Sequence, residues 1–432
     1  MAERESVGIV LLGLGVVGGG VARALTERAA MYADRVGARI ELRKVLVRDA
    51  TRERDFTPDR SLVTTDAAEA LGVDCDIVVE VMGGEDPAHE YIQESLSRGR
   101  WVVTANKELM AKKGPELLAQ ATAGGVDILF EASVGGGMPI VSPLRRDLFA
   151  NQITSLRAII NGTTNYILTQ MSREGAAFDD ALRQAQDLGY AEKPDPASDV
   201  EGFDATYKLA ILSSLAFHGH VRVDDVYREG ITHLLPRDFR YAAELGYAIK
   251  LLAIGQRDDD GVCVRVHPAL IPKDELLANV DGVLNAVQVE GDLIGRVLLQ
   301  GAGAGSRPST SAIMADVLEA SRSIVQGNRP SPWRYTADMA MKTISQLTTR
   351  YYIRVEVSDR PGVLAEIAHA CGDNGVSIAS VIQKETDDEA QTAEIVIMTH
   401  PAQEADVRRS ISQIEGLKDD VRKVGALLRV ED

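Results

Sequence analysis

The chain has 432 residues, 45% of them hydrophobic and 26% charged, and carries a formal net charge of −17 at pH 7. That length leaves room for two or three domains with separate cores, and the composition is that of a soluble globular protein. The acidic balance argues against nucleic acid or an anionic membrane as partner, because both reward basic surfaces.

The three cysteines, Cys75, Cys263 and Cys371, lie far apart without a C-x-x-C pair. They suit a reducing cytoplasm, not a zinc site or a disulfide framework. The opening "MAERESVGIVLLGLGVVGGG" is interrupted by glycines and lacks a cleavage pattern, and no segment has the apolar length of a membrane span. The seven histidines form no set with metal-ligand spacing.

Residues 1–150 alternate strand and helix signals: strands at 7–13, 40–47, 76–82, 101–105 and 127–133, with a helix at 16–33 after the first. Such alternation predicts a doubly wound parallel sheet. "GLGVVG" follows the first strand directly and opens the helix, the context in which G-x-G-x-x-G signals a dinucleotide. Gly13 permits the tight turn, Gly15 lets the backbone approach a pyrophosphate, and Gly18 allows close helix–strand packing. The N–H groups of the helix start, with Val16 and Val17, then face the phosphates. At the end of the second strand Arg48 favours a 2′-phosphate and Asp49 a free 2′-hydroxyl, so NAD and NADP both remain open.

Residues 151–304 read as an α+β domain, with strands at 153–162, 261–271, 285–291 and 294–301. A return helix to the first domain is expected at about 305–325, and the Pro- and Asn-rich 326–349 reads as linker. Residues 350–432 follow the order βαββαβ, the ferredoxin-like pattern.

Within the middle domain, Ser198-x-x-Glu201 has the form of a capping box and predicts a helix starting near 199. Phe203, Tyr207, Ala210, Ile211 and Leu215 form its apolar face. Asp204 and Lys208 share another edge, four residues apart. Taken locally they are either a surface ion pair or an acid–amine pair set for proton transfer.

Several segments, in order, resemble homoserine dehydrogenase: "GLGVVGGGV", "VMGG", "TANKELMAKKGPEL", "FEASVGGGMPI", "NGTTNYILTQM", "LGYAE", "DVEGFDATYKLAIL" and "GAGAGSRPSTSA". "DRPGVLAEIA" resembles the start of an ACT domain. The resemblance implies reversible, NAD(P)-dependent interconversion of L-aspartate 4-semialdehyde and L-homoserine, serving threonine and methionine synthesis.

It also implies roles for particular residues. Lys208 is the proton donor and acceptor, and Asp204 its partner. Glu192 binds the substrate ammonium, and Lys107 lies by both substrate and cofactor. Thr104, Gly189, Gly303 and Gly305 join the cofactor site. Glu131, with the carbonyls of Val134, Gly136 and Met138, matches a sodium site, since hard cations take oxygen donors. Asp359, Gly362 and Asn374 line an amino-acid site between paired ACT units, with threonine as the expected effector. A homodimer or homotetramer is expected.

Overall fold

The computed structural model describes residues 4–328, 330, 333, 335, 339–387 and 391–431. Of the linker expected at 326–349, residues 329, 331, 332, 334 and 336–338 lie outside the described residues. The chain divides into two compact units, one of residues 1–154, 207–223 and 289–339, the other of 155–206, 224–288 and 340–432. The division at 206 and 207 falls inside the helix Phe203–Ala216. Among the described residues, no helix is long and apolar enough to cross a membrane.

The first unit is built on six strands: β1 (Ser6–Leu12), β2 (Arg39–Leu46), β3 (Val63–Thr64), β4 (Ile77–Glu80), β5 (Trp101–Thr104) and β6 (Ile128–Leu129). They run in the order β3-β2-β1-β4-β5-β6, and every pairing is parallel. The order reverses between β1 and β4, which places the switch point beside the glycine loop. Strands of such a sheet are covered on both faces, so they read as unbroken apolar runs. Val7, Ile9, Val10, Leu11 and Leu12 are all 0% exposed. Burial of each such side chain contributes roughly 1.5–3 kcal/mol.

Three details differ from the sequence expectation. The helix expected at 16–33 is two helices, Val16–Glu27 and Ala29–Val36, meeting at Arg28. No glycine or proline marks that break, so tertiary packing decides it. The strand expected at 127–133 pairs only over Ile128–Leu129, because Glu131–Ser133 turns into a 3-10 helix. The two-residue strand β3 is too short to show a pattern.

The second unit contains one mixed sheet. Its strands lie in the order Leu284–Gly291, Ile153–Ile159, Tyr247–Asp258, Gly261–Pro272, Val421–Val430, Thr348–Ser358, Thr392–Thr399 and Ile378–Asp387. Tyr247–Asp258 is not legible from alternation, because Ile249 to Ile254 are buried on both faces. The last four strands with the helices Val363–Asp373 and Glu404–Glu415 give the expected βαββαβ unit.

That βαββαβ unit does not keep a sheet of its own. Its final strand pairs in parallel with the middle domain, Ala269 opposite Arg429 and Leu270 opposite Val430, and Glu431 N–H donates to the Leu270 carbonyl at 2.9 Å. An unpaired edge strand is a liability, and this pairing covers it. Buried ion pairs line the junction. Arg354 meets Asp238 at 2.6 Å, Arg265 meets Glu431 at 2.8 Å and Arg429 meets Glu404 at 2.6 Å. Such pairs add little net stability, but losing one partner strands a buried charge.

Candidate active site

The glycine loop assigns a separate task to each of its three glycines. Gly13 has φ +104°, and a Cβ there would lie 2.9 Å from the Val81 carbonyl oxygen. A Cβ on Gly18 would fall 2.1 Å from the Gly13 oxygen, so this glycine serves packing. A Cβ on Gly15 would meet nothing within 4 Å. The space in front of Gly15 is therefore open for a ligand to approach the backbone. Gly15 caps the helix Val16–Glu27 without a side-chain bond, which leaves the first-turn N–H groups for phosphate oxygens. Val16 is 72% exposed at this point.

A cavity of about 200 Å³ adjoins the loop, lined among others by Gly15, Arg23, Arg52, Arg54, Phe56 and Ser306. The loop after β2 is pinned to it: Arg54 donates to the carbonyls of Leu14 at 3.1 Å and Asp49 at 2.5 Å. The Asp49 carboxylate accepts from the Thr51 hydroxyl at 2.6 Å and the Thr51 N–H at 2.8 Å, and these bonds hold its carboxyl below the usual range. Arg48 is exposed and does not line the cavity. The arginines that do line it, Arg23, Arg52 and Arg54, were not singled out in the sequence, although "RDATRERDF" displays two of them beside Arg48.

The helix Ser306–Gln326 returns to this loop, capped by Gly305 at φ +124°. Ser306 Oγ donates to the Val16 carbonyl at 3.1 Å, and a Cβ on Gly20 would lie 2.2 Å from Thr310 Oγ1. A Cβ on Gly136 would meet the Gly303 oxygen at 2.3 Å. The loops 135–137 and 301–305 are thus in contact through their backbones, and the helix that follows the second meets the 13–18 loop through Ser306.

The middle loop accounts for the expected metal ligands differently. Glu131 is 4% exposed, and its carboxylate accepts the N–H groups of Ile140 (2.5 Å), Val141 (2.8 Å) and Ser142 (2.7 Å). It caps the short helix Val141–Arg145. Three of about four acceptor positions are used, so of the expected donors mainly the carbonyls of Val134, Gly136 and Met138 are left for a cation. Among the described residues, no group of three or more His, Cys, Asp or Glu side chains could hold a metal.

At the carboxyl edge of β4 and β5 a buried network sets the approach to Lys107. Glu80 is 0% exposed and accepts from Thr104 Oγ1 at 2.6 Å and from Met82 N–H at 2.8 Å. Burial pushes its carboxyl up, opposed by those bonds. Thr104 is fully buried, so its hydroxyl braces Glu80 and the Asn106 N–H, 3.0 Å away. Asn106 caps the helix Lys107–Gly124 and accepts from Leu109 N–H at 3.1 Å. Lys107 is the first residue of that helix and half-buried. The Lys112 ammonium of the same helix lies 5.6 Å from the centre of the Tyr207 ring, so this helix packs beside the one that carries Lys208.

The acid–amine pair sits on a helix that starts later than expected. Ala197–Val200 is a separate short helix with no side-chain cap, so the Ser198–Glu201 box does not form. Gly202 adopts φ +80°, and the main helix begins at Phe203. Asp204 is 3% exposed in its first turn, while Lys208, one turn on, is half-buried.

Asn161 organises the carboxylates. Its side-chain amide donates to Asp204 at 2.9 Å and to Asp199 at 2.6 Å, and its Oδ1 accepts from Thr164 N–H at 2.8 Å, capping Gly162–Glu174. Asn161 and Asp199 were not singled out from the sequence; "NGTT" before an apolar run was the available signal, as a helix cap. Glu192 is exposed, and its carbonyl accepts from Gln186 at 3.1 Å. Gly189 has φ +77° in the same segment.

Comparison with known proteins covers most of the chain. The homoserine dehydrogenase NAD-binding domain matches residues 13–131, the homoserine dehydrogenase domain 139–318 and the ACT domain 351–419. Homoserine dehydrogenase of Neisseria gonorrhoeae is 42% identical over 99% of both chains.

The chain belongs to the homoserine dehydrogenase family.

The homoserine dehydrogenase of Corynebacterium glutamicum is 41% identical over 99% of this chain and 96% of its own. The crystal structure of the Thiobacillus denitrificans homoserine dehydrogenase superposes with a TM-score of 0.91 at 42% identity, covering 99% of each chain. A hyperthermophilic archaeal homoserine dehydrogenase in complex with NADPH covers 73% of this chain, with a TM-score of 0.60 and 27% identity. The protein is therefore a homoserine dehydrogenase family enzyme with an NAD(P)-binding domain, a catalytic domain and a C-terminal ACT domain.

Proposed function

We propose that Lys208 and Asp204 carry the proton transfers in the reversible interconversion of L-aspartate 4-semialdehyde and L-homoserine. The nicotinamide cofactor, when bound, supplies or accepts the hydride at the carbonyl carbon. In reduction the Lys208 ammonium gives its proton to the oxygen as charge develops there. Asp204 stands one turn before Lys208 on the same helix. The Asn161 bond fixes the Asp204 side chain. In oxidation Lys208 must be neutral to take the hydroxyl proton, so that direction accelerates toward alkaline pH.

The observation that carries this reading is the helix break at Gly202, which buries Asp204 in a first turn tied to Asn161. Glu192 and Lys107 are the proposed contacts to the substrate's charged ends. Lys208→Ala is the test: an oxidative pH–rate profile indistinguishable from wild type would remove the assignment.

NADP is the proposed cofactor. The Asp49 carboxylate is engaged by Thr51, and Arg23 and Arg52 line the cavity beside Gly15. The NADPH complex of the archaeal relative points the same way. A sodium ion near Val134, Gly136 and Met138 is an addition that sodium titration of the activity would detect.

For the ACT domain we infer amino-acid regulation, with L-threonine as effector. Asp359 and Gly362 precede the helix Val363–Asp373, and Asn374 follows it. Eleven residues of helix span about 16 Å, so one copy does not bring all three together. A homodimer or homotetramer with paired ACT units supplies the missing side. The three cysteines are free and buried, in keeping with a cytoplasmic enzyme.

A further inference from the structure

The stretch Tyr227–Thr232 has no part in the reaction above, yet it touches both the ACT domain and the start of the catalytic helix. On the ACT side, Arg429 is fully buried and donates to Glu229 at 3.0 Å, to Tyr227 Oη at 3.3 Å and to both oxygens of Glu404 at 2.6 and 2.9 Å. Arg408 joins Glu404 at 2.9 Å to Tyr227 Oη at 3.0 Å. Glu404 and Arg408 stand on the helix Glu404–Glu415, whose far end carries Gln413. Gln413 accepts from the Asn374 side chain at 2.9 Å.

On the catalytic side, the Arg228 guanidinium lies 3.4 Å from the centre of the Phe203 ring and donates to the Glu201 carbonyl at 2.7 Å. Its aliphatic stem backs Gly202, where a Cβ would meet Arg228 Cγ at 3.4 Å. Two residues on, a Cβ at Gly230 would lie 2.5 Å from the Val200 oxygen and 2.8 Å from Glu201 Cα. Ile231 N–H donates to that same Val200 oxygen at 2.9 Å. The two segments have no slack between them. Close-packed protein transmits a displacement instead of absorbing it.

We propose that Arg228 is a positioning residue for the Asp204–Lys208 helix, and that Tyr227–Glu229 delivers the state of the ACT domain to it. The second half rests on the regulatory reading of that domain. Arg228 holds the helix at its break from two sides, through the Glu201 carbonyl and the Phe203 ring, and so sets where Asp204 points. Glu229 and Tyr227, the residues flanking Arg228, are held by Arg429 and Arg408, so a shift of the Glu404–Glu415 helix reaches Arg228 through a contiguous chain of contacts.

The experiment compares the full-length wild type with Arg228→Met, Arg228→Lys, Glu229→Gln and Tyr227→Phe, after thermal melts to establish folding. Arg228→Met is expected to lower kcat at least about fivefold, with KM values within about twofold. Arg228→Lys, which keeps a cation over Phe203 and a donor, is expected to restore most of that loss. Glu229→Gln and Tyr227→Phe are expected to keep the uninhibited kcat and to shift the midpoint of L-threonine response by at least about fivefold.

A wild-type kcat in Arg228→Met would overturn the positioning role, and an unchanged threonine midpoint in both flanking variants would overturn the coupling. If wild type itself ignores threonine, the regulatory reading and the coupling fall together, while the kcat result for Arg228 still decides the positioning role.

Discussion

The nucleotide-binding sheet and the sheet shared by the catalytic and ACT domains are assembled in opposite ways. In the first, parallel strands follow one another along the chain, and the functional feature is bare backbone: Gly13, Gly15 and Gly18 work by what they lack. In the second, the decisive contacts join residues far apart in sequence through buried charge; Arg429 and Glu229 are 200 positions apart. The difference teaches where each kind of substitution should hurt. Added atoms harm the first region, and removed charges harm the second.

The largest expected effect lies outside both. Lys208→Ala should lower kcat by about 10²–10⁴-fold, the usual range for a lost general acid, with the alkaline rise of oxidation abolished. Steady-state rates from neutral to alkaline pH check it.

In the charged region, Arg429→Met leaves Glu404, 1% exposed, without its main partner. A cost of about 3–5 kcal/mol in unfolding free energy is expected from urea titration. A loss below about 1 kcal/mol would show that the network is solvated, as surface pairs are.

The glycine loop offers an internal control. Gly18→Ala has no room for its methyl and should destabilise the protein by about 1–3 kcal/mol. Gly15→Ala has room in the free protein, so Tm should stay put while KM for the cofactor rises. Equal Tm losses in the two variants would dissolve the distinction between packing glycine and approach glycine.

Acid should act first on the charged sheet. Burial pushes the Glu404 carboxyl up, but the bonds from Arg429 and Arg408 outweigh it and leave the group below its ordinary value. A carboxyl lowered in the folded state stabilises above its unfolded pKa, near about 4.3 for glutamate. That contribution fades as pH falls from there through the lowered value. Glu404→Gln should therefore reduce the steepness of acid unfolding, measured by circular dichroism. The smallest effect is expected for Arg52→Ala, which should raise KM for NADPH several-fold and leave KM for NADH unchanged.

Much of the first region was legible before any coordinates, because its signals are local. The apolar runs of β1, β4 and β5 and the glycine spacing each specify a backbone state without reference to distant residues. The candidate site was legible only in part. Asp204 and Lys208 stand out by spacing, but Asn161, which ties Asp204 to Asp199, is separated from them by some forty residues of sequence with no periodic relation. The capping box at Ser198 misled for a related reason. Ser198 falls inside the short helix Ala197–Val200, and Val200 and Glu201 pack tightly against Gly230, which no local pattern reports.

From its residues alone, this chain determined a dinucleotide loop at the end of a parallel strand, an acid and an amine one helical turn apart, and a βαββαβ tail. Only the tertiary structure decided that the tail shares a sheet with the catalytic domain and that Arg228 packs on Phe203 and bonds the Glu201 carbonyl. Chain-local geometry is encoded in neighbouring residues and their φ preferences. A buried charge or a sheet edge can be satisfied by any partner the fold delivers, and which one arrives is settled by the folded chain.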